Sequence, residues 1–564
     1  MFAIKATRWS AACAILLACG TAHAYTFQTP SDWQVEWDNT ATYNLGVRAQ
    51  NPNPSIANNP IFQASDHKFG SAGDVVTNRV SLLSELNVIY ATNYGFRVSA
   101  SGWDDFAYND TVNTAPGNFA PGLPYSSISS YAGNRYTSYT SKYYSSGAQL
   151  LDAFVFANPT IGDVPVYLKV GQLTQYWGNA LFFGFQGISY SQGSIDGIKG
   201  ASAPGTQVKE LFIPRKQIAL DIQPRSDLDI GLQYALGFDA NRLPEGGTFL
   251  GPADFLFNGP NQFFLGAAPS PNGFVPFLLP AGTTTKPSGT HGNYGVKVEW
   301  SPAWLAGTAG LYYRRFDETQ PWAPLFDFGA AGPTDYHLAY NRGVQLFGAA
   351  LNKTIGNVSA GFEVSYRKGT ALNSTPNPAV PIESEGAKGN SLNVIANAIV
   401  PLGTTPLYNS ATLLAEMAYT RLLSVTSNAA LYNGEGYQGC GPGQDRWDGC
   451  STRDAVAMAF VFTPTWQQVF PGVDLSMPIS CTFGVKGNAA TLAGGSPQGS
   501  YNYSVGLNAT VRGKYTVALA YNGSYARSKG YTLGPNGQSY YAGGNGPFAL
   551  NDRGWVSLTL QAGF

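Results

Sequence analysis

The stretch VEWDNTATYNLGVR, residues 35–48, alternates between two kinds of side chain. One set comprises Val35, Trp37, Ala41, Tyr43, Leu45 and Val47, and the other comprises Glu36, Asp38, Thr40, Thr42, Asn44 and Arg48. Successive side chains of a β-strand face opposite sides of a sheet, so this pattern predicts a strand with one apolar and one polar face. A face with so many polar and charged groups does not suit the interior of a soluble sandwich.

The same period of two recurs along the chain, and the connections between the alternating segments are short and long by turns. Further alternating segments are residues 227–238, 294–300, 358–367, 477–485 and 501–511. Long connections lie near 49–79, 104–148, 173–216, 239–292, 317–342, 368–390, 422–453, 487–500 and 523–553. If every second connection is long, all long connections emerge at one end, which is typical of an outer-membrane barrel.

These patterns predict an all-β fold: a single transmembrane antiparallel up-and-down β-barrel over residues 25–564, with about 18 strands and a range of 16 to 20. Its turns would be short on the periplasmic side and its loops long on the extracellular side. Aromatic residues at segment ends, such as Trp37, Tyr90, Trp300 and Tyr515, suit the girdles at the membrane interfaces. The final alternating stretch ends in Phe564, which resembles the signal read by the barrel-assembly machinery.

The composition favours a membrane wall and argues against several other classes. Only 12% of the 564 residues are charged, which is about half the usual share for a soluble protein. The formal net charge is −1, and the sequence shows no clustered basic face of the kind that a nucleic-acid binder needs. Beyond residue 24 there is no uncharged apolar run of about 18 residues or more, so a membrane crossing must use strands.

The first 24 residues read as a secretory signal peptide. Lys5 and Arg8 precede an apolar stretch, and the residues 22–24, Ala-His-Ala, form a cleavage site after Ala24. An alternative is a lipoprotein signal at Cys19, because residues 16–19 read Leu-Leu-Ala-Cys. Both alternatives take the chain out of the cytoplasm.

Three cysteines follow the leader, and two of them are ten residues apart. Cys440 and Cys450 bracket the Gly-rich segment GCGPGQDRWDGC, which predicts a loop closed by a disulfide in an oxidising compartment. Cys481 lies on an apolar strand face and is expected to act as a small apolar residue. No metal site is predicted, because no histidine or third thiol lies near the pair in sequence.

Four stretches resemble a large uncharacterised outer-membrane family of proteobacteria, known as a domain of unknown function. They are SELNVIYATNYGFRVSASGWDDFAYND from Ser84, VGQLTQYWGNALFF from Val170, PGTQVKELFIPRKQ from Pro204 and NDRGWVSLTLQAGF from Asn551. The family usually carries Asp-Arg-Asp in the last motif, whereas this chain has Asp552, Arg553 and Gly554. The resemblance implies an outer-membrane barrel that works alongside resistance-nodulation-type exporters and enzymes degrading steroids, terpenes, aromatics or lipids.

The segment from Leu173 to Lys216 is the best candidate for a functional element, because it is long and mixes aromatic residues with glycines. We hypothesise that it folds inward as a constriction or plug; the alternative is a structured extracellular cap. Candidate lumen or solute-contacting residues are Trp103, Asp104, Asp105, Trp177, Lys209, Glu210, Glu36, Arg48, Lys297, Glu299, Glu363 and Arg367. Of these, the wall residues would hold water and set the electric field inside.

The leading functional hypothesis is a pore or gated channel for a hydrophobic or aromatic small molecule, without a cofactor. Its expected surroundings are outer-membrane lipid and lipopolysaccharide. Two alternatives remain: a surface adhesin or structural barrel with a blocked lumen, and an outer-membrane hydrolase. The hydrolase would depend on His67, His291 or His337, which have no recognisable catalytic partner nearby in sequence.

Overall fold

A computed structural model describes residues 25–26, 30, 32–288, 292–380 and 383–564. The predicted signal peptide, with its cleavage site after Ala24, and His291 lie outside the described residues. Among the described residues, none of the helices has the length and apolarity needed to cross a membrane.

Eighteen antiparallel strands of the described chain form one closed barrel. The strands are β1 Trp33–Arg48, β2 Val75–Tyr90, β3 Tyr94–Asp105, β4 Ser146–Ala157, β5 Val164–Leu173, β6 Arg215–Arg225, β7 Leu228–Ala235, β8 Tyr294–Trp300, β9 Gly307–Phe316, β10 Val344–Ile355, β11 Val358–Ala371, β12 Lys388–Leu402, β13 Ser410–Ser427, β14 Asp454–Phe470, β15 Val473–Ser476 with Ile479–Lys486, β16 Tyr501–Val511, β17 Tyr515–Tyr525 and β18 Trp555–Gly563. Each strand pairs with its neighbours in sequence, and β18 returns to β1 in a register that joins Trp555 to Arg48. Closure satisfies the backbone hydrogen bonds that hydrocarbon would leave unpaired.

The connections alternate in length around the barrel, as predicted. Nine long connections leave one rim: 49–74, 106–145, 174–214, 236–293, 317–343, 372–387, 428–453, 487–500 and 526–554. The connections at the other rim have two to seven residues: 91–93, 158–163, 226–227, 301–306, 356–357, 403–409, 471–472 and 512–514. The predicted fold class is therefore confirmed, including the sorting of all long loops to one end.

Short helices and hairpins give the long connections their own structure. The helices are Pro54–Ala57, Gln63–Lys68, Ser138–Tyr144, Gly197–Ser202 and Val208–Leu211, with single 3₁₀ turns at Tyr125–Ile128, Ala132–Asn134, Arg446–Asp448 and Phe548–Leu550. Short strands are Tyr25–Thr26, Asn118–Ala120, Leu123–Pro124, Thr160–Ile161, Ser194–Ile195, Phe212–Ile213, Gln262–Ser270, Gly273–Pro280, Pro321–Gly329, Gly332–Tyr340, Ser528–Leu533 and Ser539–Gly544. The predicted disulfide between Cys440 and Cys450 is confirmed.

The outer face of the barrel is apolar, as the alternation predicted. Outward side chains such as Leu311 and Val155 are 66% and 58% exposed, which a soluble sandwich would avoid by burying them. At the rim with the short turns, Trp37, Tyr90 and Trp300 face outward and are 45%, 41% and 39% exposed. This arrangement matches a lipid-facing band edged by an aromatic girdle.

Candidate functional site

The connection between β5 and β6, residues 174–214, folds into the barrel; we call it the inward loop. Its middle is joined to its C-terminal end where Ser194–Ile195 pairs with Phe212–Ile213. Between these strands lie the helices Gly197–Ser202 and Val208–Leu211. The loop makes hydrogen bonds with the inner faces of strands around the barrel, so it is a constriction within the lumen and not a cap on the surface.

Glu363 on β11 holds one side of the inward loop. Its carboxylate accepts hydrogen bonds from the backbone N–H groups of Asn179, Ala180 (3.0 Å) and Ile188 (2.8 Å). Gly178 has a φ of +97°, and a Cβ at this position would lie 2.5 Å from Glu363 Oε1. A glycine is therefore needed where the loop turns around this carboxylate.

Glu416 on β13 holds the neighbouring part of the loop in the same way. It accepts hydrogen bonds from the backbone N–H groups of Leu181 (2.6 Å), Phe182 (2.8 Å) and Phe183 (2.6 Å). The Asn397 side chain on β12 donates to Glu416 Oε2 over 3.1 Å. Each carboxylate thus binds three backbone donors, a nest that suits a buried negative charge.

Basic side chains of the wall bind the carbonyl groups of the same loop segment. Arg314 on β9 donates to the carbonyl oxygens of Ile188 and Tyr190, over 2.7 and 2.8 Å. Arg367 on β11 donates to the Gly187 carbonyl over 2.9 Å, and its guanidinium lies 4.1 Å from the centre of the Tyr190 ring. Side chains of the barrel wall therefore bind both N–H and carbonyl groups of residues 179–190.

The other half of the loop reaches the opposite wall. Lys199 donates to Ser101 on β3 over 3.0 Å, and Lys209 forms an ion pair with Glu85 on β2. The Pro204 carbonyl accepts a hydrogen bond from Thr559 on β18 over 3.1 Å. The inward loop consequently spans the lumen from β11–β13 to β1–β3.

The inward loop builds an apolar pocket of about 330 Å³. Apolar and aromatic residues of its lining are Tyr176, Leu181, Phe182, Phe185, Tyr190, Ile195, Val208, Leu211 and Phe212, and polar ones are Ser189, Ser191, Asn241 and Thr319. Val208, Tyr176 and Leu181 are 69%, 42% and 37% exposed although they lie on a loop inside the barrel. Exposed apolar side chains in the lumen offer a surface on which an apolar molecule can replace water.

A second cavity, of about 370 Å³, lies where the inward loop leaves the wall of β15–β17 uncovered. Its strand wall is polar, with Ser480, Thr482, Asn502, Ser504, Asn522 and Ser524 in the lining, and Arg553 contributes a charged side chain to the lining. The rest of the lining comes from the inward loop, the outer loops and the barrel strands: Ala201, Pro244, Leu250, Tyr503, Gly523, Leu550 and Trp555. In addition to the apolar pocket, the lumen therefore contains a space lined mainly by hydroxyl and amide groups.

Two clusters of ion pairs lie on the inner wall of the barrel, one on β2–β4 and the other on β6–β8. Arg97 on β3 binds Glu85 on β2 (2.5 Å) and Asp152 on β4 (3.1 Å). Lys297 on β8 binds Asp221 (3.2 Å), Asp229 (2.6 Å) and Glu299 (2.9 Å). Most of these charged residues are far apart in sequence, so their contacts could be predicted only from the register in which the strands pair.

The structure separates the three residues predicted at the end of β3. The Trp103 ring is buried between the Arg79 guanidinium (5.0 Å) and the Lys199 ammonium (5.1 Å), and Asp105 accepts a hydrogen bond from Thr77 (2.7 Å). Asp104 alternates with them and is exposed on the outer face. The expectation that Asp104 lines the lumen is therefore wrong, because the strand's period of two turns it outward.

Several residues expected to border lumen water are instead sealed by loops. Arg48, Glu363 and Arg367 face inward but are at most 1% exposed, so the expectation that they hold water inside the barrel is wrong. The physical reason is that the inward loop covers Glu363 and Arg367, while the outer loops cover Arg48. Glu36 does face the lumen and is exposed, and Lys297 and Glu299 are partly exposed.

The predicted residues of the inward loop lie in the lumen, with partners that their sequence spacing did not reveal. Trp177 is buried against Tyr312 of β9, with ring centres 6.3 Å apart. Lys209 and Glu210 do not pair with each other: Lys209 binds Glu85, and Glu210 binds Lys199 over 3.3 Å.

The two described histidines among the predicted candidates bind backbone carbonyl groups. His67 Nε2 lies 3.3 Å from the Ala57 carbonyl, and His337 Nε2 lies 2.9 Å from the Glu383 carbonyl. Within the described parts of the chain, neither imidazole has a serine or cysteine as hydrogen-bond partner.

The outer loops over the lumen bury two acidic side chains with raised pKa values. Burial raises the pKa of Glu245 to about 8, although Gly259 N donates to it over 2.6 Å. Burial also raises the pKa of Asp254 to about 7, although Ala64 N donates to it over 2.9 Å. Because these values exceed the ordinary values of 4.5 and 3.8, the folded loops bind more protons than the unfolded chain between about pH 4 and 8.

We expect the packed outer loops 49–74, 106–145, 236–259 and 526–554, which together we call the outer-loop cap, to become more stable as the pH falls from 8.5 to 5.5. For each such group, the free energy of unfolding rises by about 1.4 kcal/mol per pH unit over the range between its folded and unfolded pKa values. Glu245→Gln should stabilise the cap at pH 8.5 and flatten this dependence, since the amide needs no proton to be neutral. Hydrogen exchange of residues 236–259 measures the effect, and slower exchange at pH 8.5 than at pH 5.5, after correction for the intrinsic rate, contradicts it.

Fold and site together define an outer-membrane type of β-barrel whose lumen holds a folded loop. The chain belongs to the family described as "Protein of unknown function (DUF1302)", whose model matches residues 5–564. The resemblance seen in the four sequence stretches is thereby confirmed. No curated protein matches the chain.

The barrel is also similar to solved structures at low sequence identity. OccAB4 of Acinetobacter baumannii is 7% identical, with a TM-score of 0.43 over 95% of this chain and 99% of that one. OpdK of Pseudomonas aeruginosa, solved with vanillate, is 9% identical, with a TM-score of 0.39 over 94% and 98%. The outer membrane channel DcaP of Acinetobacter baumannii is 9% identical, with a TM-score of 0.34 over 96% and 99%.

Proposed function

We propose that this protein is an outer-membrane channel that passes small hydrophobic or aromatic molecules through the lumen. The observation that carries the proposal is the apolar pocket of about 330 Å³ on the inward loop. Val208 of the inward loop is 69% exposed inside the barrel, and an apolar side chain at this place favours an apolar solute over an ion or a sugar. The pocket volume lies near the lower end of the usual range for small-molecule sites, which suits a solute of one or two rings.

The polar groups at the pocket's edge suit a solute that also carries a hydroxyl or carboxyl group. Asn241 and Thr319, from two outer loops, contribute amide and hydroxyl groups to a lining that is otherwise mostly apolar. A few placed polar groups in an apolar pocket orient a ligand without binding it too tightly to leave.

Purified protein in liposomes tests this function. We expect faster entry of a small aromatic acid and of an uncharged aromatic probe than of a sugar of similar size, together with single-channel events in planar bilayers. Bilayers that stay silent with correctly folded protein would contradict the proposal and favour the adhesin or structural alternative.

Polar substitution at the pocket rim should reduce entry of apolar solutes selectively. Val208→Asn and Leu181→Asn each remove apolar contact worth about 1 to 2 kcal/mol, so the flux of the aromatic probe should fall about fivefold or more. Sugar flux should stay unchanged, because both side chains are exposed and carry little of the packing. Leu407→Asn is the matched control, since Leu407 is 77% exposed in a short connection outside the lumen; an equal loss in this variant would argue against the pocket.

A further inference from the structure

Two carboxylates face each other on a hairpin of the outer loop 317–343. In the pairing of Pro321–Gly329 with Gly332–Tyr340, Asp327 lies directly opposite Asp335. His337 follows two residues after Asp335 and therefore lies on the same face. Like charges directly opposite each other destabilise a strand pair, so a positively charged group bound between them would stabilise the hairpin.

The buried imidazole of His337 points its free nitrogen at these carboxylates. The side chain is 5% exposed, and its Nε2 lies 2.9 Å from the Glu383 carbonyl oxygen. A carbonyl oxygen only accepts, so Nε2 carries the proton and Nδ1 of the neutral ring presents a lone pair. Nδ1 lies 3.5 Å from Asp335 Oδ1 and 4.0 Å from Asp327 Oδ2, which leaves a lone pair facing two negative groups.

The spacing of these atoms suits a metal ion better than a proton. A protonated imidazole bound to carboxylates would form hydrogen bonds of about 2.7–2.9 Å, shorter than either distance observed here. Ligands bound at about 2.0–2.2 Å around one ion are about 3–4 Å apart. One ligand atom from each of the three residues lies within 4.8 Å of the others, and Asp327 Oδ1 is buried without a hydrogen-bond partner among the described residues.

We propose that Asp327, Asp335 and His337 bind a divalent transition-metal ion, with Zn²⁺ as the best fit to one imidazole nitrogen and two carboxylates. The Glu383 carbonyl fixes the imidazole in the ligand tautomer, as backbone partners of metal-bound histidines do. The two aspartate side chains are 38% and 27% exposed, so an ion can enter from the outer surface.

The bound ion would fasten the hairpin to the neighbouring outer loop. Glu383 accepts hydrogen bonds from Phe326 N (2.8 Å) and Asn377 N (2.7 Å), so the segment that orients His337 also holds the hairpin. Gly282 packs on the other side, where a Cβ would lie 2.3 Å from Asp335 Oδ1. Metal binding would therefore stabilise the junction of three outer-loop segments.

The full-length barrel in detergent provides the test, with Co²⁺ and Zn²⁺ as probes after treatment with a chelator. We expect one equivalent of Co²⁺ to give visible ligand-field absorption that Zn²⁺ abolishes, and Zn²⁺ to slow hydrogen exchange in residues 321–340 at least tenfold. Asp327→Asn and His337→Gln should lose both effects. Asp110→Asn, at an exposed acid of another outer loop, should keep both.

The isosteric Asp327→Asn variant keeps the proposal testable without relying on loss of folding. In chelator it should exchange more slowly than the wild-type protein in residues 321–340, since it removes one of two opposed charges. Slowing by Ca²⁺ or Mg²⁺ alone, or no metal effect in the wild-type protein, would overturn the proposal. So would protection at acidic pH without metal that disappears in Asp335→Asn, because a protonated His337 would then be the positive partner.

Discussion

Replacing Glu363 and Glu416 together by glutamine is expected to raise the single-channel conductance several-fold. The two carboxylates accept six backbone hydrogen bonds from residues 179–188 of the inward loop. Hydrogen bonds to a charged group contribute about 1.5–3 kcal/mol each, and a glutamine turns an NH₂ group towards some of these donors. The loop should therefore leave the wall and widen the lumen, which planar-bilayer recordings measure directly.

Glu36→Gln is the matched control, because Glu36 is an exposed inner-wall carboxylate that accepts a hydrogen bond from Asn87 on the neighbouring strand, over 3.5 Å. It removes one wall charge without touching the inward loop, so its conductance should stay close to wild type. Heat-modifiable migration on gels verifies that the double variant still folds as a barrel. A folded double variant with unchanged conductance would show that the inward loop does not limit the pore.

The barrel could be predicted because the patterns that define it, side-chain alternation and connection length, are each visible within short stretches of sequence. The faces of residues 35–48 follow from a period of two, and the long and short connections can be counted without knowing any contact. Phe564 forms two backbone hydrogen bonds with Asn39, of 2.8 and 2.9 Å, which places the chain's end at the closing seam. Whether it also serves as an assembly signal remains a prediction.

The arrangement inside the barrel was not predictable, because alternation assigns every polar wall residue the same environment. Glu36 and Glu363 have equivalent places in their patterns, yet one is exposed and the other is 1% exposed beneath the inward loop. Apolar inner residues such as Leu346 and Ile395, both fully buried, also depart from a purely polar lumen. They are explained by the aromatic loop residues that pack on them, a tertiary fact with no local pattern.

The contacts of the family motif residues were also not predictable from the sequence. Asp552 and Arg553 belong to the last family motif, and their partners Arg48 and Asp66 are distant from it in sequence. Arg48 lies 3.0 Å from Asp66 and 3.5 Å from Asp552, and Arg553 lies 3.5 Å from Asp66. The motif thus connects the last outer loop, 526–554, to the first, 49–74, and this contact forms only because the barrel closes.

Arg48→Met is expected to destabilise the outer-loop cap by about 3–5 kcal/mol, the usual loss when one partner of a buried ion pair is removed. Asp66 is fully buried, so the variant leaves its carboxylate with the more distant guanidinium of Arg553 as its remaining charge partner. Arg48 also donates to the carbonyl oxygens of Phe69 (2.5 Å) and Asp552 (3.0 Å), and these acceptors lose their donor. Limited proteolysis should cut residues 49–74 and 526–554 at least tenfold faster, while the strands stay intact.

The companion variant Arg48→Met/Asp66→Asn separates charge from packing. If the buried charge causes the loss, neutralising Asp66 should restore most of the protease resistance, because the carboxylate no longer needs a cation. Arg135→Met, which breaks an exposed ion pair with Asp110, should change cleavage little, since exposed pairs contribute about 1 kcal/mol or less. If the single and double variants are equally sensitive to protease, the lost resistance comes from the missing hydrogen bonds and packing of Arg48. Charge pairing would then not be the reason that the loops close over this end of the barrel.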